Sequence, residues 1–218
     1  MVIFLKEKIR KILFHLFWLF LIGGIFGYVL ETFWHFYKYH EWINKQGLWY
    51  GPIKPIYGFG LIIITLFLSK QRYKTSLKIF LIGIIIGSIY EYFTSCFQEY
   101  AFNTETWSYL NMNYNIHGRI YLPYCFAWGL ITLIWIKFLL PFYLKFYKHM
   151  AQHKRFKLTY IFIILLLYNI TLTAFITKRF ANRTNHILPQ TKLDIYLDHK
   201  YPDELVKQKF PKLNVLKK

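Results

Sequence analysis

Two carboxylates stand deep inside apolar stretches of this chain, each preceded by glycines at the same interval. "GGIFGYVLETF" (23–33) reads Gly23-x3-Gly27-x3-Glu31, and "GIIIGSIYEYF" (83–93), 60 residues later, reads Gly83-x3-Gly87-x3-Glu91. An ionised carboxylate in hydrocarbon is costly, so a residue of this kind marks a substrate, proton or cation site, or else a structural pair with a buried partner. Positions i, i+4 and i+8 cover only about 80° of a helix face, which puts each Glu on one stripe with two glycines. A Gly-x3-Gly stripe lets a neighbouring backbone approach closely, so the carboxylates are predicted to face the helix bundle and not the lipid. Thr94 and Gln98 continue the second stripe with polar groups.

Groups that could meet them lie in the connecting segments. "NKQGLWYGPIKPIYGFG" (44–60) carries Lys54 and Tyr57, and "WSYLNMNYNIHGRIYLPY" (107–124) carries Asn115, His117 and Arg119. Arg119 is the only Lys or Arg between positions 79 and 136, and a guanidinium can pair with a carboxylate bidentately. Glu31, Glu91 and Arg119 are therefore expected to converge in one polar cavity, open toward the loop side. One carboxylate would stay ionised and the other would be free to exchange a proton or receive a cationic group. His117 beside Arg119 could join the glutamates on a metal, but no His/Cys/Asp/Glu cluster has ligand spacing, so no metal or cofactor is expected. His15 and His35 read as packed or interfacial residues. Asn169 reads as an interhelical hydrogen bond. Trp42, Trp49, Tyr50, Trp107 and Tyr109 read as an aromatic belt. No H-E-x-x-H, G-x-S-x-G or Gly-x4-Gly-Lys-Ser/Thr pattern occurs, so ATP-driven work would need a separate ATPase. Use of Glu31 and Glu91 as acid and base on a lipid-like substrate is the enzymatic alternative. A structural or sensory partner without chemistry is the other.

The elements that must position these groups are membrane helices. A composition 56% hydrophobic and 22% aromatic over 218 residues cannot be buried in one soluble domain. Runs able to cross about 30 Å of hydrocarbon occupy about 12–36, 53–69, 78–98, 120–142 and 158–177. The expected fold is an all-α membrane protein of about five transmembrane helices. Its first four form a parallel tandem repeat of two helix pairs, about 19–69 and 79–142, within a membrane core of 12–142. "GPIKPIYGFGLI" (51–62) matches "GRIYLPYCFAWGLI" (118–131) in its Gly-x-Ile opening, its proline and its Gly-Leu-Ile close. The rest divides into a basic N-terminus (1–11), a basic loop with the fifth helix (143–178) and a basic polar tail (179–218). The apolar stretch after Lys6, Lys8, Arg10 and Lys11 is too long for a signal peptide and reads as a retained helix.

The net charge of +18 sits at the ends of the apolar runs, where membrane topology places it, and does not point to nucleic acid. Residues 1–11, 70–78 and 145–157 hold thirteen Lys and Arg, against seven in 37–54, 98–119 and 178–183. That asymmetry predicts a cytoplasmic N-terminus and an outward C-terminus in the cell membrane. Cys96 and Cys125 read as unpaired thiols.

These residues also resemble the ABC-transporter type IV (CmpB-like) family of bacterial integral membrane proteins. The resemblance runs from about Phe26 to Leu130, through "GYVLETFW", "NKQGLWYGPIKPIYGFG", "EYFTSCFQEYAFNTETWSY" and "NIHGRIYLPYCFAWGL". It singles out Gly27, Glu31, Gly51, Pro52, Pro55, Tyr57, Gly58, Gly60, Glu91, Tyr92, Trp107, Tyr109, Asn115, Gly118 and Arg119. Lys45-Gln46 stands where the family usually has Asn-Arg, and Thr106 where a second Arg or Trp is common. The resemblance implies a transporter permease in the bilayer; a separate ATPase, which such a role would need, and further copies of the chain are the candidate partners.

Overall fold

The computed structural model describes residues 2–152 and 156–216. Helix α1, Val2–Tyr39, runs unbroken through a proline-free apolar stretch and stops where His40 turns left-handed, at φ 56°. An extended segment leads to α2, Pro55–Leu68, whose Pro55 sits in the first turn, where a missing N–H costs nothing. Helix α3, Ser76–Phe102, ends at Asn103 in the left-handed conformation. A loop containing strand β1 (Thr104–Glu105) and a small hairpin of β2 (Asn115–Ile116) and β3 (Ile120–Tyr121) returns the chain to α4, Leu122–Ile134. A π-helical turn at Trp135–Leu139 joins α4 to α5, Leu140–Gln152. Pro141 follows this turn, and the Leu140 N–H reaches back five residues to the Trp135 carbonyl, widening the helix where proline removes a donor. Helix α6 is Phe156–Thr184.

Four helical stretches are long and apolar enough to cross a membrane: Glu7–Tyr39, Ser76–Phe102, Leu122–His149 and Thr159–Thr184. The shorter Pro55–Gln71 reaches only about 25 Å at 1.5 Å per residue. The chain is an all-α membrane protein. The fourth run continues well past its expected end at 142, so most of the basic 145–157 segment is helical; its residues 153–155 lie outside the described residues.

The glycines explain how the pairs pack. A Cβ on Gly27 would sit 2.2 Å from the Tyr57 ring, and one on Gly23 would sit 2.9 Å from Leu61 Cβ. A Cβ on Gly87 would sit 2.4 Å from Trp128 Cβ, and one on Gly83 would sit 2.6 Å from Thr132 Cβ. In the reverse direction Gly58 receives Phe20 and Gly129 receives Phe80. Every contact of α1 with α2 in this set thus has a counterpart between α3 and α4, shifted by 60 residues on the first helix and 71 on the second. The shared Gly-Leu-Ile triplets would have given a shift of 69; the helices pack through Gly58 and Gly129 instead. Between the pairs lies a core of Leu19, Leu61, Ile64, Leu68, Ile79, Trp128 and Trp135, in which the Trp135 indole N–H donates to Thr65 Oγ1 at 2.9 Å.

The tail is not a loose polar extension. Helices α7 (Lys192–Lys200) and α8 (Asp203–Lys209) fold back on the end of α6, and strand β4 (Asn214–Val215) pairs antiparallel with β1. Thr191 and Asp194 form a reciprocal capping box that starts α7. Arg179 and Arg183 hold Asp198 from two sides at 2.7 Å, and Arg183 also pairs with Asp203. Under these ion pairs, Ile176, Phe180, Leu197, Tyr201, Val206 and Phe210 enclose Trp49. Trp49 is therefore a core residue of this clasp and not part of an aromatic belt, because the tail supplies the apolar cover. Asn169 also differs from expectation. It bonds both the N–H and the C=O of Tyr50, at 3.0 and 2.7 Å, and so ties α6 to the extended segment and not to another helix.

Candidate functional site

Both stripes deliver their carboxylates to the same end of the bundle. Glu31 ion-pairs with Lys54, the residue that precedes α2, and their side chains are only 27% and 17% exposed. Tyr57, in the first turn of α2, turns its hydroxyl to Glu31 and also feels the charge of Glu91. Its ring stacks on Trp128, with centroids 5.6 Å apart and planes at 24°. Glu91 is buried. One of its oxygens accepts from the Trp128 indole N–H at 2.8 Å and the other from the Tyr109 hydroxyl at 3.1 Å. The Tyr57–Trp128 stack thus stands between the two acids, which are close enough to feel each other's charge.

The surroundings of the two acids differ in kind. Glu31 has a cation. Glu91 has two neutral donors and no ion pair among the described residues. Tyr109 pays for its position in desolvation: burial pushes its hydroxyl well above the ordinary tyrosine range, and the nearby Glu91 pushes it further. It donates its proton and cannot readily lose it.

Arg119 does not reach the carboxylates. Its guanidinium pairs with Glu99, donates to Ser95 Oγ at 3.0 Å and lies over the Tyr92 ring at 5.9 Å. Glu99 is two helical turns beyond Glu91 on α3, about 12 Å along the axis. The physical reason is local. The Arg119 N–H is held by the Ile116 carbonyl and its C=O by the Trp107 indole N–H, so the hairpin fixes its origin near the end of α3. Glu91 meanwhile has both oxygens occupied. The side-chain bond from Glu99 holds the Arg119 guanidinium above its usual range.

Asn115 and His117 also belong to the hairpin. Asn115 donates to the Met112 carbonyl and accepts from the Gly118 N–H at 2.7 Å, stabilising a turn in which Tyr114, His117 and Gly118 all have positive φ. His117 Nδ1 meets the Tyr92 hydroxyl at 2.8 Å. Of the residues singled out in the sequence, Glu31, Glu91, Lys54 and Tyr57 come together, while Arg119, Asn115 and His117 form a separate polar layer nearer the end of α3. Trp128 was missed because tryptophan in an apolar run reads as packing; its N–H is one of the few donors such a run contains. Cys96 and Cys125 are both free.

Lys45 lies within electrostatic reach of Glu31, half-buried and without an acceptor among the described residues. Burial pushes its ammonium below the usual lysine range; Lys54 and Lys212 add to the fall and Glu31 opposes it.

A family model described as "Putative ABC-transporter type IV" matches residues 18–174. The match covers α2, α3, α4 and α5, most of α1 and α6, and every residue of the paired-acid site; the clasp from 175 onward lies beyond it. No curated protein and no solved structure matches the chain.

Proposed function

Since this chain belongs to the ABC-transporter type IV family of membrane proteins, we propose that it is a permease-type subunit of the cell membrane whose working site is the group Glu31, Lys54, Tyr57, Glu91, Tyr109 and Trp128. The observation that carries this reading is the inequality of the acids. Glu31 is neutralised by Lys54, whereas Glu91 sits between neutral donors beside a second carboxylate. A fold-fixing pair needs one acid and one base. The surplus acid can change its charge without breaking an ion pair, as a group that binds a solute or couples to a proton must. The chain has no phosphate-cradling glycine loop, so ATP hydrolysis would come from a separate subunit on the cytoplasmic side. The 1–11, 70–78 and 145–157 segments supply the basic surface there, with the N-terminus inside.

The experiment has two parts. Infrared difference spectra of the purified protein across pH should contain the C=O stretch of a protonated carboxyl that Glu91→Gln removes and Glu99→Gln does not. A strain lacking the gene should be rescued by the wild type and not by Glu91→Gln at equal membrane abundance. Full rescue by a Glu31→Gln, Glu91→Gln double variant would sink the proposal in favour of a purely structural pair. Topology is checked by single cysteines in a background with Cys96 and Cys125 replaced: Lys74→Cys and Asn103→Cys should label from opposite sides of the membrane.

A further inference from the structure

The stripe on α1 does not stop at Glu31. One turn further, at the same four-residue step, stands His35, and then Tyr39, whose ring is 4.7 Å from the imidazole. His35 is 6% exposed, and its Nε2 is buried with no hydrogen-bond partner among the described residues. Charged groups from three segments lie within electrostatic reach of it. Lys45 comes from the extended segment after α1, Lys212 from the clasp, and Glu41 from just past the helix end. Lys45 in turn feels the charges of Glu31, Lys54 and Lys212. Three ammonium groups and two carboxylates therefore lie within electrostatic reach of one another. Lys54 is committed to Glu31, and neither Lys45 nor Lys212 makes a hydrogen bond or ion pair among the described residues. A half-buried ammonium without an acceptor and a buried imidazole nitrogen without a partner are unfavourable unless something pairs with them. The clasp determines that Lys212 is here: β4 on β1 and Lys209 over the Trp49 ring at 5.9 Å fix the chain on either side of it.

We infer that His35, Lys45 and Lys212, with Lys54 behind them, form a binding site for a phosphate-class oxyanion at the mouth of the Glu31 site. The inference rests on the permease reading and names the class of solute it would admit. The anion's oxygens accept from Lys45 Nζ, from Lys212 Nζ and from the imidazole N–H, which restores the acceptors these groups lack. Lys54 remains paired with Glu31, so the bound anion is kept one helical turn from the carboxylate, with the ammonium between them. The same chemistry serves a free phosphate and the headgroup of an anionic phospholipid.

The test uses the full-length protein in nonionic detergent, titrated with inorganic phosphate by calorimetry. In parallel, lipid retention is measured by native mass spectrometry after incubation with phosphatidylglycerol or phosphatidylcholine. The expected result is saturable binding that Lys45→Gln weakens by about tenfold or more, the scale of one lost charge-assisted hydrogen bond. Lys212→Gln should weaken it less, and Lys45→Arg should restore it. Binding of phosphate without preference between the two lipids identifies a free anion, and preference for phosphatidylglycerol without phosphate binding identifies a headgroup; both support the site. The inference is overturned if neither ligand binds, or if Lys45→Gln binds like the wild type. It is also overturned if Lys192→Gln, in the first turn of α7, weakens binding as much, since that would mean diffuse attraction to a basic surface. Loss of rescue by Glu91→Gln without any phosphate or phosphatidylglycerol binding would leave the permease reading standing and remove the oxyanion. Lys45-dependent binding with full rescue by the double Glu variant would do the opposite.

Discussion

The Glu31 and Glu91 halves of the molecule share a packing scheme and differ in charge. Each acid follows two glycines that admit the next helix, and each meets an aromatic donor there, Tyr57 in one half and Trp128 in the other. Those two residues are 71 apart, as are Lys54 and Cys125. Where the first half places an ammonium, the second has a buried free cysteine. Shape is thus kept while charge is not. The matching glycine contacts bring both acids to one end of the bundle, and the difference in charge makes one an ion pair and the other an acid without a cation among the described residues.

The largest effect should come from attacking what the halves share. Gly27→Leu and Gly87→Leu would each drive a side chain into a ring that even a Cβ would approach to 2.2–2.5 Å. Each should abolish assembly of monodisperse protein, seen as loss of the size-exclusion peak. If one half tolerates the change, the packing equivalence fails. The next effect separates the halves. Lys54→Ala strands a carboxylate that is mostly buried and should cost about 3 kcal/mol in thermal or denaturant unfolding. The matching change in the other half, Cys125→Ala, removes only a sulfur and should cost about 1 kcal/mol. Equal losses would show that Lys54 acts by packing and not by charge.

Glu91→Gln should be milder than Lys54→Ala. The amide oxygen keeps one of the two donors, Trp128 or Tyr109, and the amide N–H₂ must turn toward the other. A loss of about 1 kcal/mol follows for the misdirected bond. A loss of 3 kcal/mol or more would mean that Glu91 is held as a charged structural element, which contradicts its proposed role.

How much of this the sequence displayed depends on how unusual each residue is in its setting. Glu31 and Glu91 were conspicuous because a carboxylate in an apolar run has few explanations, and the glycine spacing fixed the face they share. The apolar runs placed the starts of α2, α3, α4 and α6 within two residues, with errors where no breaker stands: α1 and α6 both run past their apolar cores into charged turns. The partners of the acids were harder. Arg119 drew attention as a lone guanidinium, but pairing is decided by reach, and the hairpin sets its origin beside Glu99. Trp128 and Tyr109 carry donors on apolar bodies, so composition counted them as packing or belt. The clasp was hidden for a different reason. Its apolar residues are spaced over two short helices, and only Trp49, some 150 residues upstream, completes their core.

The clasp makes the halves unequal in a second way, and the smallest of the expected effects tests it. It covers the segment leading to Lys54 through Trp49, whereas it meets the second half at β1 and near the end of α3. The ion pairs that hold α7 are sensitive to acid. Arg179 and then Arg183 keep the Asp198 carboxyl below the usual carboxylate range, and Thr191 does the same for Asp194. A depressed native pKa means that the stabilisation is fully present above the unfolded value, about 3.9, and is lost as pH falls from there through the folded value. Between pH 5 and 8 the clasp should therefore show no pH dependence from these two groups. Below about pH 4 the amides of α7 and α8 should lose hydrogen-exchange protection, after correction for intrinsic rates, before those of α3 do. Asp198→Asn should bring that opening to neutral pH and carry the Trp49 segment with it, leaving the Glu91 side protected. If α3 opened together with α7, the clasp would belong to both halves equally, and the charge difference between Lys54 and Cys125 would be the only asymmetry left.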